Sequence, residues 1–415
     1  GTCVPIDQCV SGYTVDGHGI CVLDDGCPTA YERDSQGNCV PLDRNVPLFD
    51  GYDGSKVEFV YEEGFLSWMS FWSDNTLFSR KTRFDTTTWV LQQDVMSDCQ
   101  YRRRTSVWIQ NGQGKMIFCH WTAVRAYDKS GAKQWDQGIG SRNFFFPSAV
   151  SIDAADGHGY LAGGNQFRRF NLNDGTVLGS VSIPGHGVVH LDGDFAYIAG
   201  HGVITGIDLT SMSNAFQETL DDEGDPPPRC ASGAITSNGD FITFCSETLA
   251  RIKPDGTVMW ERTVPELPGP GAHVGRSTIL SGNGLAIIAT GEPAVAAYDA
   301  QTGTPVWARE LPGLAGHLAA GDQGNIYANA AAVSRVYVLD ETTGEAKRIF
   351  EGTATYGVAR SIYDMALRNG RIYVEGGGRL SVLDVESTQY DPASNWPVAG
   401  HDNQRTFSTE SPMSY

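Results

Sequence analysis

The Gly-His-Gly segments centred on His158, His186 and His201 are candidate places where this chain could hold a metal ion. Counting back seven residues from the turn glycines Gly193 and Gly324 reaches His186 and His317, which are therefore predicted to occupy equivalent positions. Two such imidazoles could bind a transition metal. The same count reaches a serine and a tyrosine in other parts of the chain, and this favours the alternative that the segments are tight entries to buried strands.

Two acidic segments could instead hold calcium. Asp221, Asp222 and Asp225 precede a run of three prolines, and Asp153 and Asp156 flank a second turn. Carboxylate oxygens at short spacing are the ligands that calcium prefers, but neither segment matches an EF-hand loop. The sequence favours solvated loops at both places, with calcium as a possible ligand.

Motifs that would identify an enzyme are missing from the sequence. It contains no G-x-S-x-G nucleophile elbow, no P-loop, no H-E-x-x-H zinc motif, and neither C-x-x-C nor C-x-x-C-H. We therefore predict no catalytic or cofactor-binding residue, and the sequence does not indicate a specific reaction.

Five of the nine cysteines fall within residues 1–42, in a repeat of 18 residues. So little apolar sequence cannot form a core, so cross-links are expected to hold this part together. Metal binding is the alternative, but the cysteine spacing is not that of a zinc knuckle. The favoured pairs close each repeat, Cys9 with Cys21 and Cys27 with Cys39, and they leave Cys3 for a partner upstream of Gly1.

The remaining cysteines predict two further disulfides. Cys230 and Cys245 are symmetric about a Ser-Asn-Gly turn, so a hairpin would place them opposite each other. Cys99 and Cys119 flank a hairpin with Asn-Gly near its turn, less symmetrically. Buried free thiols are the alternative for both pairs. Disulfides indicate a compartment outside the reducing cytosol.

One short phrase recurs eight times along the chain: an apolar strand, an Asp or its equivalent, a Gly or Thr turn, and another strand. Its central residues are Asp85, Asp128, Asn171, Asp208, Lys253, Asp299, Asp340 and Asp384. The steps between them, from 37 to 46 residues, suit four short strands with tight turns, which is one propeller blade. The other turns carry Asn-Gly or Asp-Gly, as type I′ hairpins require.

Three tryptophans stand seven or eight residues after the central residue of the phrase: Trp135, Trp260 and Trp307. An indole at a recurring position in the outer strand is expected to cover the seam between neighbouring sheets. A platform on which a ligand stacks is the alternative, and the recurrence of the residue argues against it.

The predicted fold is all-β: a propeller of eight, or alternatively seven, four-stranded blades after a small disulfide-rich module. We place the module at residues 1–42, a linker at 43–56 and the propeller at 57–415, with a C-terminal closing segment at 390–415. Either Lys56–Glu62 or this tail could supply the strand that closes the ring, because an open ring would expose sheet edges.

The phrase resembles the repeat of pyrroloquinoline-quinone-type (PQQ-like) β-propellers from about residue 57 onwards. Residues 395–406 also resemble the W-P-x-x-G-x-D-x-x-R-T segment that many such proteins carry at a terminus. Some relatives are quinone-dependent dehydrogenases with calcium, and the alcohol-oxidising ones use adjacent cysteines. No two cysteines are adjacent here. Other relatives are non-catalytic scaffolds, and the resemblance favours that group and implies no cofactor.

The net charge and the hydropathy of the sequence argue against some classes of binding partner. A formal net charge of −19 argues against nucleic acid and anionic membranes, since both require a basic face. No apolar run is long enough for a membrane span. The sequence therefore predicts an extracytoplasmic scaffold, at the cell surface or in the bacterial envelope, that binds proteins or self-assembles, with a missing N-terminal segment as its tether. The alternative is a quinoprotein-type or calcium-dependent enzyme with its site in the central channel.

Overall fold

The computed structural model describes most of the chain from residue 105 to residue 398 and short strands before it. The described residues are 13–15, 21–23, 31–33, 39–41, 69–71, 76–79, 82–85, 90–92, 105–110, 113–120, 123–128, 130–138, 150–153, 155–184, 187–200, 202–220, 230, 233–245, 248–264, 277–289, 294–311, 317–330, 335–351, 362–376, 379–387 and 389–398.

Two short hairpins come first in the chain. Their strands are β1 (Tyr13–Val15), β2 (Cys21–Leu23), β3 (Tyr31–Arg33) and β4 (Cys39–Pro41). Tyr13 pairs with Leu23 and Tyr31 pairs with Pro41, so the two hairpins share one register and follow the predicted repeat. Cys9 and Cys27 lie outside the described residues, and the two disulfides of this module stay predictions.

Eight antiparallel sheets follow among the described residues, seven of four strands and one of three, each with its strands in chain order. We number them sheet 1 to sheet 8. Sheet 1 consists of β5 (Met69–Phe71), β6 (Thr76–Ser79), β7 (Thr82–Asp85) and β8 (Val90–Gln92); sheet 2 of β9 (Thr105–Gln110), β10 (Gln113–His120), β11 (Ala123–Tyr127) and β12 (Lys133–Gly138); sheet 3 of β13 (Ser151–Asp153), β14 (His158–Gly163), β15 (Gln166–Asn171) and β16 (Val177–Ser182); and sheet 4 of β17 (Val188–Asp192), β18 (Phe195–Gly200), β19 (Val203–Asp208) and β20 (Ser213–Thr219). Sheet 5 consists of β21 (Ala234–Ile235), β22 (Phe241–Cys245), β23 (Thr248–Ile252) and β24 (Val258–Thr263); sheet 6 of β25 (Thr278–Leu280), β26 (Leu285–Ala289), β27 (Ala294–Asp299) and β28 (Pro305–Glu310); sheet 7 of β29 (Leu318–Gly321), β30 (Asn325–Ala330), β31 (Arg335–Asp340) and β32 (Ala346–Glu351); and sheet 8 of β33 (Ile362–Arg368), β34 (Arg371–Gly376) and β35 (Arg379–Asp384).

The first strands of successive sheets lie side by side around a ring. Each contacts the next, and β33 of sheet 8 contacts β5 of sheet 1. One edge of each first strand pairs with its own sheet, so the other edge faces the axis of the ring. This is the arrangement of a β-propeller.

Burial follows this arrangement closely. The second strands β22 and β26 are almost entirely buried, whereas the fourth strands β12, β24 and β28 each bury one residue, the tryptophan that the sequence singled out. Side chains of adjacent sheets pack into shared cores, such as the one between sheets 6 and 7. The core of the molecule therefore lies between the blades.

The hairpin turns follow the type I′ expectation at some places and differ from it at others. Asn369 and Gly370 both have positive φ, as that turn requires. At the turn before Asp240, only Gly239 has positive φ, and Thr236 donates its N–H to the carbonyl of Asp240. The loop there has three residues rather than two, so a single glycine in the left-handed region is sufficient.

A disulfide joins Cys230 and Cys245 across this hairpin. Their Cα atoms are 4.0 Å apart and form an isolated antiparallel bridge. Strands β9 and β10 pair as a hairpin, with Gln110 opposite Gln113, in agreement with the prediction, but Cys99 lies outside the described residues. Its bond with Cys119 stays a prediction.

Candidate functional site

The carboxylate of the repeated phrase has a structural role in the described copies. In sheet 6, Asp299 Oδ1 accepts the N–H groups of Gln301 and Thr302, at 3.0 and 2.7 Å, and the hydroxyl of Thr302. In sheet 7, Asp340 Oδ1 accepts the N–H groups of residues 342 and 343 in the same way, at 2.9 Å each. The repeated aspartates therefore hold their own turns and are not arranged to bind a ligand.

These hydrogen bonds favour the ionised carboxylate. The backbone N–H of Thr302 lowers the pKa of Asp299. Burial raises the pKa of Asp340, but the Lys347 ammonium and the turn N–H groups outweigh it, so the pKa is lowered overall. Neither aspartate is poised to exchange a proton near neutral pH.

The tryptophans join neighbouring sheets, as predicted. The Trp307 indole N–H donates to the carbonyl of Glu341 in sheet 7 at 2.8 Å. A Cβ on Gly344 would lie 2.4 Å from the same indole, so the turn glycine leaves room for the ring. Trp135 and Trp260 donate in the same way to Leu172 and Ala300 of the next sheet.

The seam between sheets 3 and 4 has a similar packing, but here the glycine stands at the tryptophan position and a large side chain stands at the position of the turn glycine. In sheet 3, Gly179 stands at the tryptophan position, opposite Arg169 beside the strand irregularity. In sheet 4, Met212 stands where the turn glycine is expected and keeps the positive φ of 50°. A Cβ on Gly179 would lie 3.3 Å from the Met212 methyl carbon, so methionine fills the space of the missing indole.

This exchange predicts that substitutions at positions 179 and 212 have strongly coupled effects on the free energy of unfolding. Gly179→Trp alone is expected to lower the free energy of unfolding by about 1–3 kcal/mol, because the indole and Met212 would compete for one space. Gly179→Trp with Met212→Gly restores the arrangement of the other seams and should recover most of that loss. Urea unfolding of the two single variants and the double variant measures the coupling. Additive effects would contradict the exchange.

Residues 389–398 cross the axial edges of several first strands. On β29, the Ala320 N–H donates to the Pro397 carbonyl at 2.7 Å, and the Ala320 carbonyl accepts the Asp391 N–H at 3.0 Å. On β25, the Leu280 N–H donates to the Trp396 carbonyl at 2.8 Å. The segment thus satisfies backbone groups that face the axis.

Side chains extend this contact to further sheets. The Asn395 amide donates to the Ile235 carbonyl on β21 at 2.9 Å. Trp396 is fully buried, with its ring 5.5 Å from the ring of His190 on β17. The Tyr390 hydroxyl accepts the Leu367 N–H on β33 at 3.1 Å. One segment therefore binds the first strands of sheets 4 to 8.

This placement locates the described part of the predicted C-terminal closing segment. Residues 390–398 bind the axial edges of inner strands, because those edges carry N–H and C=O groups with no other strand beside them and the segment matches them. Lys56–Glu62 and residues 399–415 lie outside the described residues, and a closing strand from either stays a prediction.

The predicted metal ligands are only partly placed. His317 is buried immediately before β29, and its backbone carbonyl accepts the Asn329 N–H at 3.1 Å. Within the described ranges, His317 is not part of any group of three metal-ligand side chains. His186 and the acidic stretch Asp221, Asp222 and Asp225 lie outside the described residues. Their metal binding stays a prediction.

The second acidic cluster does come together, with a histidine added. Ligand atoms of Asp153, Asp156 and His158 lie within 4.8 Å of one another between β13 and β14. Asp153 Oδ1 already accepts the Ala155 and Asp156 N–H groups at 3.0 and 3.2 Å. Burial, reinforced by the Asp153 charge, raises the pKa of neighbouring Tyr160 to about 12. The donor set suits a transition metal better than calcium, which prefers oxygen ligands.

Sheet 5 contains a buried ion pair that also contacts sheet 6. Arg251 on β23 bonds Asp240 through Nε at 2.8 Å and Nη2 at 2.6 Å, and both side chains are less than one-tenth exposed. Arg251 Nη1 also donates to the Ala300 carbonyl of sheet 6 at 2.8 Å. The pair therefore joins the turn before β22 to β23, and Arg251 joins the fifth sheet to the sixth.

Comparison with known proteins agrees with this architecture. The sequence profile of the family described as outer membrane protein assembly factor BamB matches residues 245–391. The fold is a β-propeller with PQQ-like repeats. No curated protein matches the chain. Among the residues that the structure describes, no helix is long and apolar enough to cross a membrane.

Solved propellers resemble the chain over most of its length. BamB from Moraxella catarrhalis is 12% identical, with a TM-score of 0.56, and the match covers 76% of this chain and 94% of that chain. The computationally designed Ika8 protein is 12% identical, with a TM-score of 0.59 and coverages of 79% and 99%. The C-terminal WD40 domain of Sif2 is 15% identical, with a TM-score of 0.56 and coverages of 80% and 98%. At these identities the likeness shows the fold alone.

Proposed function

We propose that this chain is an extracytoplasmic, non-catalytic propeller that binds protein partners or assembles into a larger envelope complex. The observation that carries the proposal is the axial position of residues 389–398. Cofactor chemistry in a propeller requires space at the axis, whereas Trp396 and its neighbours occupy the axial edges of the first strands of sheets 4 to 8. The outward-facing strands and turns then remain as the working surface.

Two further findings support the proposal. The Cys230–Cys245 disulfide fits a compartment outside the reducing cytosol. The family whose profile matches residues 245–391 is described as an outer membrane protein assembly factor, and this description supports a role in the envelope. Quinone or calcium chemistry at the axis is the rival function, and nothing among the described residues favours it.

The test is photo-crosslinking in the native cells. Benzoylphenylalanine would replace Leu178, Met259 or Val306, which are exposed on three different outer strands, or Asn238 on a turn. We expect a second chain, or a second copy, to be captured at some of these positions and not at others, and the native particle to exceed the mass of one chain. No captured chain at any position would overturn the proposal.

A second measurement addresses the rival function. The purified native protein would receive pyrroloquinoline quinone and calcium, and binding and dye-linked oxidation of alcohols and sugars would be measured. We expect neither saturable binding nor turnover. Saturable quinone binding with turnover would establish the enzyme instead.

A further inference from the structure

The seam between sheets 7 and 8 lacks the tryptophan of the regular seams, because the arginine and the aromatic residue have exchanged positions on the outer strand. Sheets 5 and 6 have Trp260 followed two residues later by Arg262, and Trp307 followed by Arg309. Sheet 7 has the reverse order, with Arg348 at the tryptophan position and Phe350 two residues later. The aromatic ring is therefore displaced along the strand by two residues.

In the regular seams both side chains bind the next sheet. Trp307 donates to the Glu341 carbonyl, and Arg309 donates to the Thr343 carbonyl at 2.8 Å. In the transposed seam the Arg348 guanidinium lies over the Phe350 ring, 4.4 Å from its centroid. The strand thus offers no indole to the seam at this point.

A cavity lies in the place of the missing indole. Its volume is about 220 Å³, and it is lined by Asn325, Tyr327, Val338, Lys347, Arg348, Phe350, Val385 and Glu386. Val385 follows Asp384 as Glu341 follows Asp340, so it is the counterpart of the residue whose carbonyl accepts the Trp307 indole. Because a cavity of about 150 Å³ holds a benzene ring, this one is large enough for an indole.

The lining of the cavity offers an aromatic ring a stacking contact. The Arg348 guanidinium is flat and half-buried, and a flat cation is attracted to the face of an aromatic ring. Tyr327 and Phe350 add buried aromatic surface to the lining.

We propose that this cavity binds a tryptophan side chain of a protein partner, which completes the seam as Trp307 completes the preceding one. The inference rests on the proposed scaffold function and names the chemistry of the partner. The indole would lie against the Arg348 guanidinium, with its N–H directed to the backbone at Val385. An aliphatic side chain would make neither of these contacts.

The experiment uses the intact chain and N-acetyl-5-fluoro-L-tryptophanamide, with binding followed by fluorine NMR. N-acetyl-L-leucinamide serves as the competing control. We expect saturable binding that the leucine amide does not displace. Arg348→Trp fills the cavity from within and should weaken binding at least tenfold, whereas the matched control Val306→Trp, on the exposed outer strand of sheet 6, should leave it unchanged.

A second variant protects the test against misfolding. Arg348→Lys keeps the positive charge and removes the flat guanidinium, and it should weaken binding about threefold or more. Absence of saturable binding to the unmodified chain, or equal binding by both cavity variants and the unmodified chain, would overturn the inference. This result is independent of the crosslinking experiment. If partners are captured but the indole does not bind, only the proposal of a tryptophan site in the cavity is refuted. If the indole binds but no partner is captured, the proposed scaffold function is refuted.

Discussion

Trp396→Ala is expected to lower the free energy of unfolding by about 3–5 kcal/mol, the usual cost of emptying a fully buried tryptophan site. The residue is 0% exposed and packs against His190, and its backbone binds Leu280. Denaturant unfolding measures the loss. Hydrogen exchange adds a local measurement, because the Leu280 and Ala320 N–H groups donate to the segment and should exchange faster in the variant.

The control for this prediction is Trp396→Phe. Phenylalanine keeps a ring beside His190 and should cost less than half as much as alanine. A loss below about 1 kcal/mol in Trp396→Ala, with unchanged exchange at Leu280 and Ala320, would contradict the axial position of the segment.

Arg251→Ala is expected to cost about 3–5 kcal/mol, because it leaves the Asp240 carboxylate buried without its counter-charge. The Ala300 carbonyl of sheet 6 also loses one of its two donors, the Trp260 indole N–H being the other. Thermal or denaturant unfolding would show the loss as a lowered midpoint.

The chain supplies a matched control for this variant. Arg125 bonds Asp136 at 2.9 Å in sheet 2 with the same sequence separation, but the two side chains are 19% and 34% exposed. Since exposed pairs contribute at most about 1 kcal/mol, Arg125→Ala should be nearly neutral. Equal losses in the two variants would show that burial of the Arg251 pair does not determine its contribution.

The features that sequence reasoning predicted are local or periodic. The aspartate turns depend on residues two to four positions apart, and the tryptophan seams repeat at fixed spacing, so Trp135, Trp260 and Trp307 could be placed between blades. Cys230 and Cys245 could be paired because a hairpin turn lies midway between them. Each of these predictions requires only the length of the repeat and the residue types of the turns.

The features that it missed are not local. Asn395 bonds a carbonyl 160 residues earlier, and nothing in the W-P-x-x-G pattern indicates that partner. His158 had been noted for its glycine neighbours, and its approach to Asp153 and Asp156 depends on how one hairpin bends. The transposition of Arg348 and Phe350 is visible in the sequence, but only after the strands are aligned on the regular seams.

The contacts that residues 389–398 make with distant parts of the sequence have a consequence for biosynthesis. These residues leave the ribosome after all eight sheets, yet they bind strands made more than a hundred residues earlier, such as Leu280 through Ser394. Contacts of such long sequence separation form late and slowly. Until they form, the edges of the first strands that face the axis lack these hydrogen-bond partners, and such unpaired edges favour pairing with other chains.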